Sequence, residues 1–228
     1  MNNKDKMQTS ESFILSALIS FSGGLQDAYT YNLRDKVFAN AQTGNIVLMS
    51  QHLMSREWLK GFSYLLPIFS FVLGIIIAEQ ISSRYKTGKR IHWRQVVLVL
   101  EILILFLVGF IGTPLNMVAN ALVSLSCAMQ VQSFRTMHGY GYASTMCIGN
   151  LRNGTESLSV FFRTKEPSSL KKALNYYCII IVFALGAGIG GILSPVFGFK
   201  TIWLSALILA TAFILMLKKY TPANSFIR

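Results

Sequence analysis

Long apolar runs with few charges constrain the fold of this chain more than any other feature of its sequence. A window of about 19 residues, near the length that an α-helix needs to cross a bilayer, finds six such runs. They cover residues 12–32, 61–82, 95–113, 115–134, 172–193 and 200–217. Charged residues make up only 13% of the chain, against about a quarter in a typical soluble domain. We therefore predict an all-α integral membrane protein with six transmembrane helices.

The net charge of +12 is carried by short basic runs between the apolar stretches. One of them contains Arg84, Lys86, Lys89, Arg90 and Arg94. This distribution is typical of cytoplasmic loops that face anionic lipid, and it argues against a nucleic-acid partner. Six spans with both termini in the cytoplasm place most of the 21 basic residues inside. Eight spans cannot keep the two basic loops and both termini on that side, so we predict six.

The sequence contains two related halves. Gln26 and Gln130 close corresponding spans, and the Gly-Asn pairs that end at Asn45 and Asn150 follow them at offsets of 104 and 105 residues. A Phe-x-Leu-Gly pattern recurs at 71–74 and 183–186. Because three spans per half is an odd number, the second half must be inverted in the membrane, as in many transporters. The predicted halves are residues 1–113 and 114–228 of one membrane domain.

Two segments, residues 37–54 and 139–161, are rich in Gly, Asn, Thr and Ser and are not clear spans. One hypothesis is a pair of broken or re-entrant half-helices that meet near the bilayer midplane and line a small polar site. The alternative is close packing of small residues, with the polar groups bonded to neighbouring helices. The first hypothesis assigns substrate or ion binding to Gln26, Asp27, Asn40, Gln42, Thr43, Asn45, Gln130, Thr145 and Asn150.

Two acidic residues lie within predicted spans. Asp27 is a functional candidate because an ionisable group inside an apolar span is costly unless it is used. The alternative is an interfacial carboxylate, solvated or paired with Arg34, Lys36 or Arg135. Glu101 either binds a proton or cation or extends its side chain to the cytoplasmic face, and we favour the second interpretation.

The fifth span carries a dense glycine run, Gly186-Ala-Gly-Ile-Gly190-Gly191, which is typical of close helix packing. It indicates a contact within the chain or between protomers, so a homodimer is a further prediction. The three cysteines lack metal-ligand spacing, and no nucleophile–base pair, metal motif or phosphate loop is present. We therefore expect neither an enzyme nor a cofactor or metal site.

Gly23-Gly-Leu-Gln-Asp-Ala28 and Asn40-Ala-Gln-Thr-Gly-Asn45 resemble the pattern of the YoaK-like family of small bacterial membrane proteins. In the second half, Ala128-Met-Gln130 and Thr145-Met-Cys-Ile-Gly-Asn-Leu151 match the family's A-M-Q and T-x-x-x-G-N-L, although Ile148 stands where the family more usually has Thr. The resemblance covers nearly the whole chain and implies a multi-pass protein of the bacterial cell membrane with no established activity.

The paired polar segments and the inverted halves favour a transporter or channel for an unidentified small solute. A structural or regulatory membrane subunit that transports nothing is the alternative. A polar cavity between residues 40–45 and 145–150 would favour transport, whereas a sealed interior would favour the alternative. In either case the partners that we expect are the lipid bilayer and a second copy of the chain.

Overall fold

The computed structural model describes residues 9–85 and 92–218. Within these residues the helices are α1 (Phe13–Leu33), α2 (Gln42–Met54), α3 (Trp58–Ser63), α4 (Leu65–Tyr85), α5 (Trp93–Val108), α6 (Asn116–Ser133), α7 (Cys147–Thr164), α8 (Pro167–Phe197) and α9 (Ile202–Lys218). A small antiparallel hairpin, β1 (Thr136–Met137) and β2 (Tyr140–Gly141), connects α6 to α7. The described chain is therefore all-α, as predicted, apart from this hairpin.

The predicted spans coincide with long helices, since α1, α4, α5, α6, α8 and α9 each cover one apolar run. Three helical stretches, Trp58–Tyr85, Thr113–Ser133 and Pro167–Leu217, are by themselves long and apolar enough to cross a membrane. The last has 51 residues and bends at Gly198, whose φ is +54°. These stretches support a multi-pass membrane protein, and the number six stays a prediction.

Two closely packed helix pairs, α1 with α8 and α4 with α6, form the frame of the bundle. A Cβ atom at Gly24 or Gly186 would lie less than 3.0 Å from a backbone carbonyl oxygen of the opposite helix, closer than real Cβ contacts. Gly74 of α4 meets the backbone of α6 in the same way. Glycine at these positions lets the backbones touch, which is a common way for membrane helices to gain contact without a hydrophobic driving force.

The glycine run of the fifth span is used inside the chain. Gly186 and Gly190 both lie against the α1 backbone, with Leu25 O at 3.0 Å from a Cβ built at Gly190. At Gly188, by contrast, a Cβ would meet nothing within 4 Å. Gly186 and Gly190 are therefore internal packing residues and do not form a free dimer face. The homodimer remains a prediction without that support.

The helices α5 and α9 complete the bundle. They pack on each other, and α5 also lies against α6 while α9 lies against α1. Their contacts bury a continuous apolar core that includes Ile19, Leu105, Val123 and Leu209. Trp203 ties the ends of α5 and α9 together, because its Nε1 donates to the carbonyl of Phe106 at 3.0 Å.

The two ambiguous polar segments each form an extended stretch followed by a helix. The helix α2 lies against α3, and α7 lies against α8, so both sit at the sides of the frame. With 13 residues, α2 is about 20 Å long, too short to cross a hydrocarbon core of about 30 Å. The extended stretches that precede α2 and α7 run into the bundle, and they position the polar side chains described next.

Candidate functional site

Two asparagines hold the extended stretches in place. Asn45 Oδ1 accepts from the Phe38 N–H at 3.2 Å, and its Nδ2 donates to the Phe38 carbonyl at 2.8 Å. Asn150 clamps Ala143 in the same way, at 3.2 Å and 2.6 Å, and each clamped residue lies seven positions before its asparagine. The amides satisfy backbone groups that a non-helical stretch would leave unpaired. Asn45 and Asn150, which we predicted to line the site, are therefore engaged with backbone.

Asp27 and Asn40 connect α1 to the stretch before α2. Asp27 Oδ1 accepts from the Asn40 backbone N–H at 2.8 Å, and Asn40 Nδ2 donates to the Gly23 carbonyl at 3.1 Å. The Asp27 side chain is buried, and within residues 9–85 and 92–218 it forms no ion pair. The alternative of an interfacial carboxylate, solvated or paired with Arg34, Lys36 or Arg135, is therefore wrong.

Arg34 is itself fully buried, which the loop position of this residue did not predict. Its guanidinium donates to Tyr29 Oη and Asn116 Oδ1, each at 2.7 Å, and to the Ile111 carbonyl at 2.8 Å. The same group lies 3.9 Å from the centre of the Phe199 ring. Arg34 thus joins the end of α1 to the end of α5 and the start of α6. The hydrogen bonds of its guanidinium group thus connect parts of the bundle.

Gln26 is fully buried where α1, α6 and α9 come together. Its Nε2 donates to Ser205 Oγ at 2.8 Å and to Ser22 Oγ at 3.0 Å. Its Oε1 accepts from the Cys127 thiol at 2.7 Å. Gln26 therefore lies in the predicted polar region, and its amide is engaged on both sides.

The second half contributes Gln130 and Thr145 to the same region. Gln130 is fully buried, and its Nε2 lies 3.3 Å from the Ile19 carbonyl. The Thr145 methyl group packs directly on Gly23, where a built Cβ atom would also lie 3.6 Å from Gln130 Nε2. Because Asn40 bonds the carbonyl of the same glycine, Gly23 is the point where the two polar segments meet. We call these residues, with Asp27, the Gly23 cluster.

Gln42 and Thr43 shape the start of α2 and do not reach the Gly23 cluster. Gln42 Nε2 donates to the Ala39 carbonyl at 2.9 Å, and its Oε1 accepts from Asn45 Nδ2 at 3.0 Å. Thr43 is exposed on the surface of α2. The sequence pattern included both residues because composition does not tell which side of a short helix faces the bundle.

Glu101 is the ionisable residue for which the favoured sequence interpretation is wrong. Its side chain is fully buried, so it does not extend to the cytoplasmic face. Neither carboxyl oxygen has a hydrogen-bond partner among the described residues. Glu101 lies between Leu98 and Leu105 on α5, and both leucines belong to the same apolar core cluster as Cys127. The Cys127 thiol donates to the amide oxygen of Gln26, the neighbour of Asp27 in the chain. The sequence position of Glu101 could have predicted this burial. Glu101 lies eight residues, about 12 Å, beyond the start of α5, which is too deep for a short side chain to reach water.

Sizeable cavities open at the ends of the bundle. One of about 460 Å³ lies beside Glu79, Arg94 and Gln132, where α4 ends and α5 begins. Another, of about 380 Å³, lies between α7, α8 and the hairpin and is lined by Tyr140 and Tyr176. At Gly23, in contrast, the two polar segments are in direct contact.

Comparison with known proteins gives a family but no activity. A family model described as "Protein of unknown function (DUF1275)" matches residues 15–215. The UPF0700 transmembrane protein YoaK of Bacillus subtilis (strain 168) is 26% identical over 199 residues, which cover 83% of this chain and 87% of that protein. No solved structure matches the chain.

Proposed function

This chain belongs to the DUF1275 family of proteins of unknown function, and from that premise we propose that it transports or conducts a small solute across the bacterial cell membrane. It is a multi-pass membrane protein. The proposal comprises six spans in two inverted halves, residues 1–113 and 114–228, with both termini in the cytoplasm. It assigns no enzymatic activity to the chain.

Reciprocal packing supports the inverted halves. The first helix of one half, α1, packs on α8 of the other, and α6 packs on α4 in return. Likewise α9 lies against α1, and α5 lies against α6. Each contact is therefore made twice, between helices that hold the same positions in their halves. Two halves related by a two-fold axis in the membrane plane would pack in this way.

The position of α2 supports a re-entrant segment. Asn40 bonds Gly23, which lies ten residues, about 15 Å, along α1. Near the other end of α2, Leu53 packs on Gly61. Gly61 precedes the α4–α6 crossing at Gly74 by 13 residues, about 20 Å of helix. The chain thus reaches the middle of the bundle as an extended stretch and leaves it as α2.

The helix α7 repeats this geometry on the opposite side. Thr145 contacts Gly23 in the middle of the bundle, whereas Gly154 packs on Tyr176. Tyr176 precedes the α1–α8 crossing at Gly186 by ten residues, about 15 Å. Two such segments, one from each face, are the arrangement in which several transporter families build a site near the midplane.

One observation carries the proposal: two polar segments, one from each half, meet at Gly23, one helical turn from the buried carboxyl group of Asp27. A second buried carboxyl group, that of Glu101, lies on α5. Burial of a carboxyl group in a membrane bundle is costly, and such residues usually mark a pathway for ions or solutes. A subunit with only a structural role would gain more from apolar residues at these positions. The direct contact between Thr145 and Gly23 favours the alternative of a sealed structural or regulatory subunit, so transport has to be measured.

Flux into proteoliposomes tests the proposal. The purified protein is assayed with a panel of labelled small solutes, beside Asp27→Asn, which keeps the shape and removes the charge. The matched control is Asp35→Asn, the same change at an exposed residue two positions beyond the end of α1. We expect flux by the wild type and Asp35→Asn, and its loss in Asp27→Asn with normal assembly. Vesicles that stay sealed to the whole panel would support the structural subunit instead.

Thiol labelling tests the topology. In a variant without the native cysteines, we introduce a cysteine at position 165, beyond α7, or at position 86, which lies outside the described residues. Six inverted spans place both positions in the cytoplasm, so a membrane-impermeant reagent should label neither from outside. Labelling of the two positions from opposite sides would contradict the proposed topology.

A further inference from the structure

We infer that the region around Gly23 and Glu101 binds a small monovalent cation, such as an alkali metal ion or ammonium. The inference rests on the proposed function and names the class of solute or coupling ion. Its ligands would be the carboxyl groups of Asp27 and Glu101 with the amide oxygens of Asn40 and Gln130.

The first argument is the chemistry of the buried polar atoms that have no hydrogen-bond partner. Every buried side-chain nitrogen or oxygen that lacks a hydrogen-bond partner within the described residues is an oxygen. Three of them are amide oxygens, those of Asn40, Asn120 and Gln130. The nitrogen of each amide donates to a backbone carbonyl, Asn40 to Gly23, Gln130 to Ile19 and Asn120 to Arg34. Because a carbonyl only accepts, these bonds fix the amide orientation and leave the oxygens unpaired.

The second argument is the state of Glu101. Both of its oxygens are buried and unpartnered, a costly arrangement that a bound cation would relieve. The helices α6 and α9 pack against α5 and offer Glu101 no positive charge. No residue of α9 before Lys218 is charged, and the ionisable residue of α6 is Cys127. On α4, Glu79 is exposed and bonded to Gln132, and Arg84 lies near the end of the helix. Among the described residues, therefore, no positively charged side chain forms an ion pair with Glu101.

The third argument is the absence of a competing positive charge near Asp27. Arg34 lies seven residues further along the chain, about 10 Å of helix. Its guanidinium is engaged by Tyr29, Asn116 and backbone carbonyls at the end of the bundle. Asp27 and Glu101 are therefore both buried, and neither has a positively charged partner among the described residues.

The charge of the ligand follows from the number of anionic groups. Calcium takes six to eight oxygen ligands, several of them carboxylates, and magnesium keeps an octahedral shell of oxygens and water. Among the described residues, no group of three or more His, Cys, Asp or Glu side chains lies close enough to hold a metal ion. Two carboxyls with neutral amide oxygens suit a singly charged ion better.

Rows of buried polar side chains lead to this region from both ends of the bundle. They repeat at an offset of 104 residues, with the same spacing of four: Ser16 and Ser20 on α1, and Asn120 and Ser124 on α6. The half-buried N-cap Ser12 and the buried Asn116 extend the two rows by one step. The hydroxyls of Ser16, Ser20 and Ser124 are buried without a hydrogen bond of ordinary geometry. Such rows offer oxygen atoms to an ion that moves between the ends and the centre.

Thermal unfolding of the full chain in detergent tests the inference. The melting temperature is measured in sodium, potassium or ammonium chloride at constant ionic strength, against the bulky N-methylglucammonium chloride. We expect one small cation to raise Tm by about 5–10 °C at a concentration about 100 times its Kd. Glu101→Gln should abolish this rise, whereas Glu79→Gln, the same change at an exposed carboxylate, should keep it.

The outcomes separate the inference from the proposed function. A Tm that is equal in all four salts, or a rise that survives Glu101→Gln, overturns the cation site. A Tm that responds only to pH overturns it too, because the carboxyls then hold protons. If Glu101→Gln does not fold, Asn40→Leu replaces it, and the wild-type salt series still decides. Cation binding without flux in proteoliposomes would support the cation site and contradict transport. Flux that is equal in every salt would support transport and contradict the cation site.

Discussion

The sharpest structural prediction concerns the backbone contact between α1 and α8. Gly186→Ala adds one methyl group where a Cβ would lie less than 3.0 Å from the Phe21 carbonyl oxygen. Backbone atoms on both sides leave no flexible side chain to move, so one helix must shift. Gly188→Ala is the matched control, because it is the same change two residues away on α8 with nothing within 4 Å.

The two substitutions should change the free energy of unfolding in opposite directions. Overpacking a well-packed site costs about 1–3 kcal/mol, and a contact of backbone against backbone belongs at the upper end of that range. Replacing a helical glycine by alanine gains up to about 1 kcal/mol where space allows. We therefore expect Gly186→Ala to be less stable than Gly188→Ala by about 2–4 kcal/mol.

The assay is thermal unfolding in one detergent, followed by tryptophan fluorescence. For a chain of this size 1 kcal/mol corresponds to about 2–4 °C in Tm, so Gly186→Ala should melt at least about 4 °C below Gly188→Ala. Equal melting temperatures would refute the contact. If Gly186→Ala changed the oligomeric state and left Tm unchanged, Gly186 would lie at an interface between protomers.

Three further predictions follow from local contacts. Asn150→Leu removes both bonds to Ala143 and should cost about 2–4 kcal/mol, while Asn150→Asp, which keeps the acceptor, should cost less; both are read from Tm. Arg34→Lys keeps the charge but loses the planar fork that reaches several acceptors, so Tm should fall by the equivalent of about 2–3 kcal/mol, and an unchanged Tm would show that a single donor suffices. Burial and the nearby Arg94 lower the pKa of His92, whose Nδ1 accepts from the backbone N–H of Arg94 as the N-cap of α5. The neutral ring is therefore favoured in the folded state, so stability is complete above about pH 6.5 and is lost as the pH falls through the lowered pKa. His92→Asn, which keeps a capping oxygen, should flatten that part of the Tm–pH curve.

Part of the candidate site was visible in the sequence. Gln26, Asp27, Asn40, Gln130 and Thr145 are all buried in the middle of the bundle, and their role as ligands of a solute or ion stays a prediction. The Gly-Asn pairs were also recognised, because a repeated motif at a near-constant offset needs no tertiary information. Their role was different from the prediction, since an amide that binds a ligand and an amide that clamps the backbone have the same sequence signature.

The sequence alone determined where the apolar helices run and where the polar segments interrupt them. Hydropathy is a sum over consecutive residues, and a membrane span is a local property of the chain. Tertiary structure decided which side chains are buried and what they contact. The burial of Glu101 depends on α6 and α9, the burial of Arg34 depends on α5 and α6, and the partner of Gly186 is a helix some 160 residues away in the chain. Such contacts join distant parts of the sequence, so no local pattern records them.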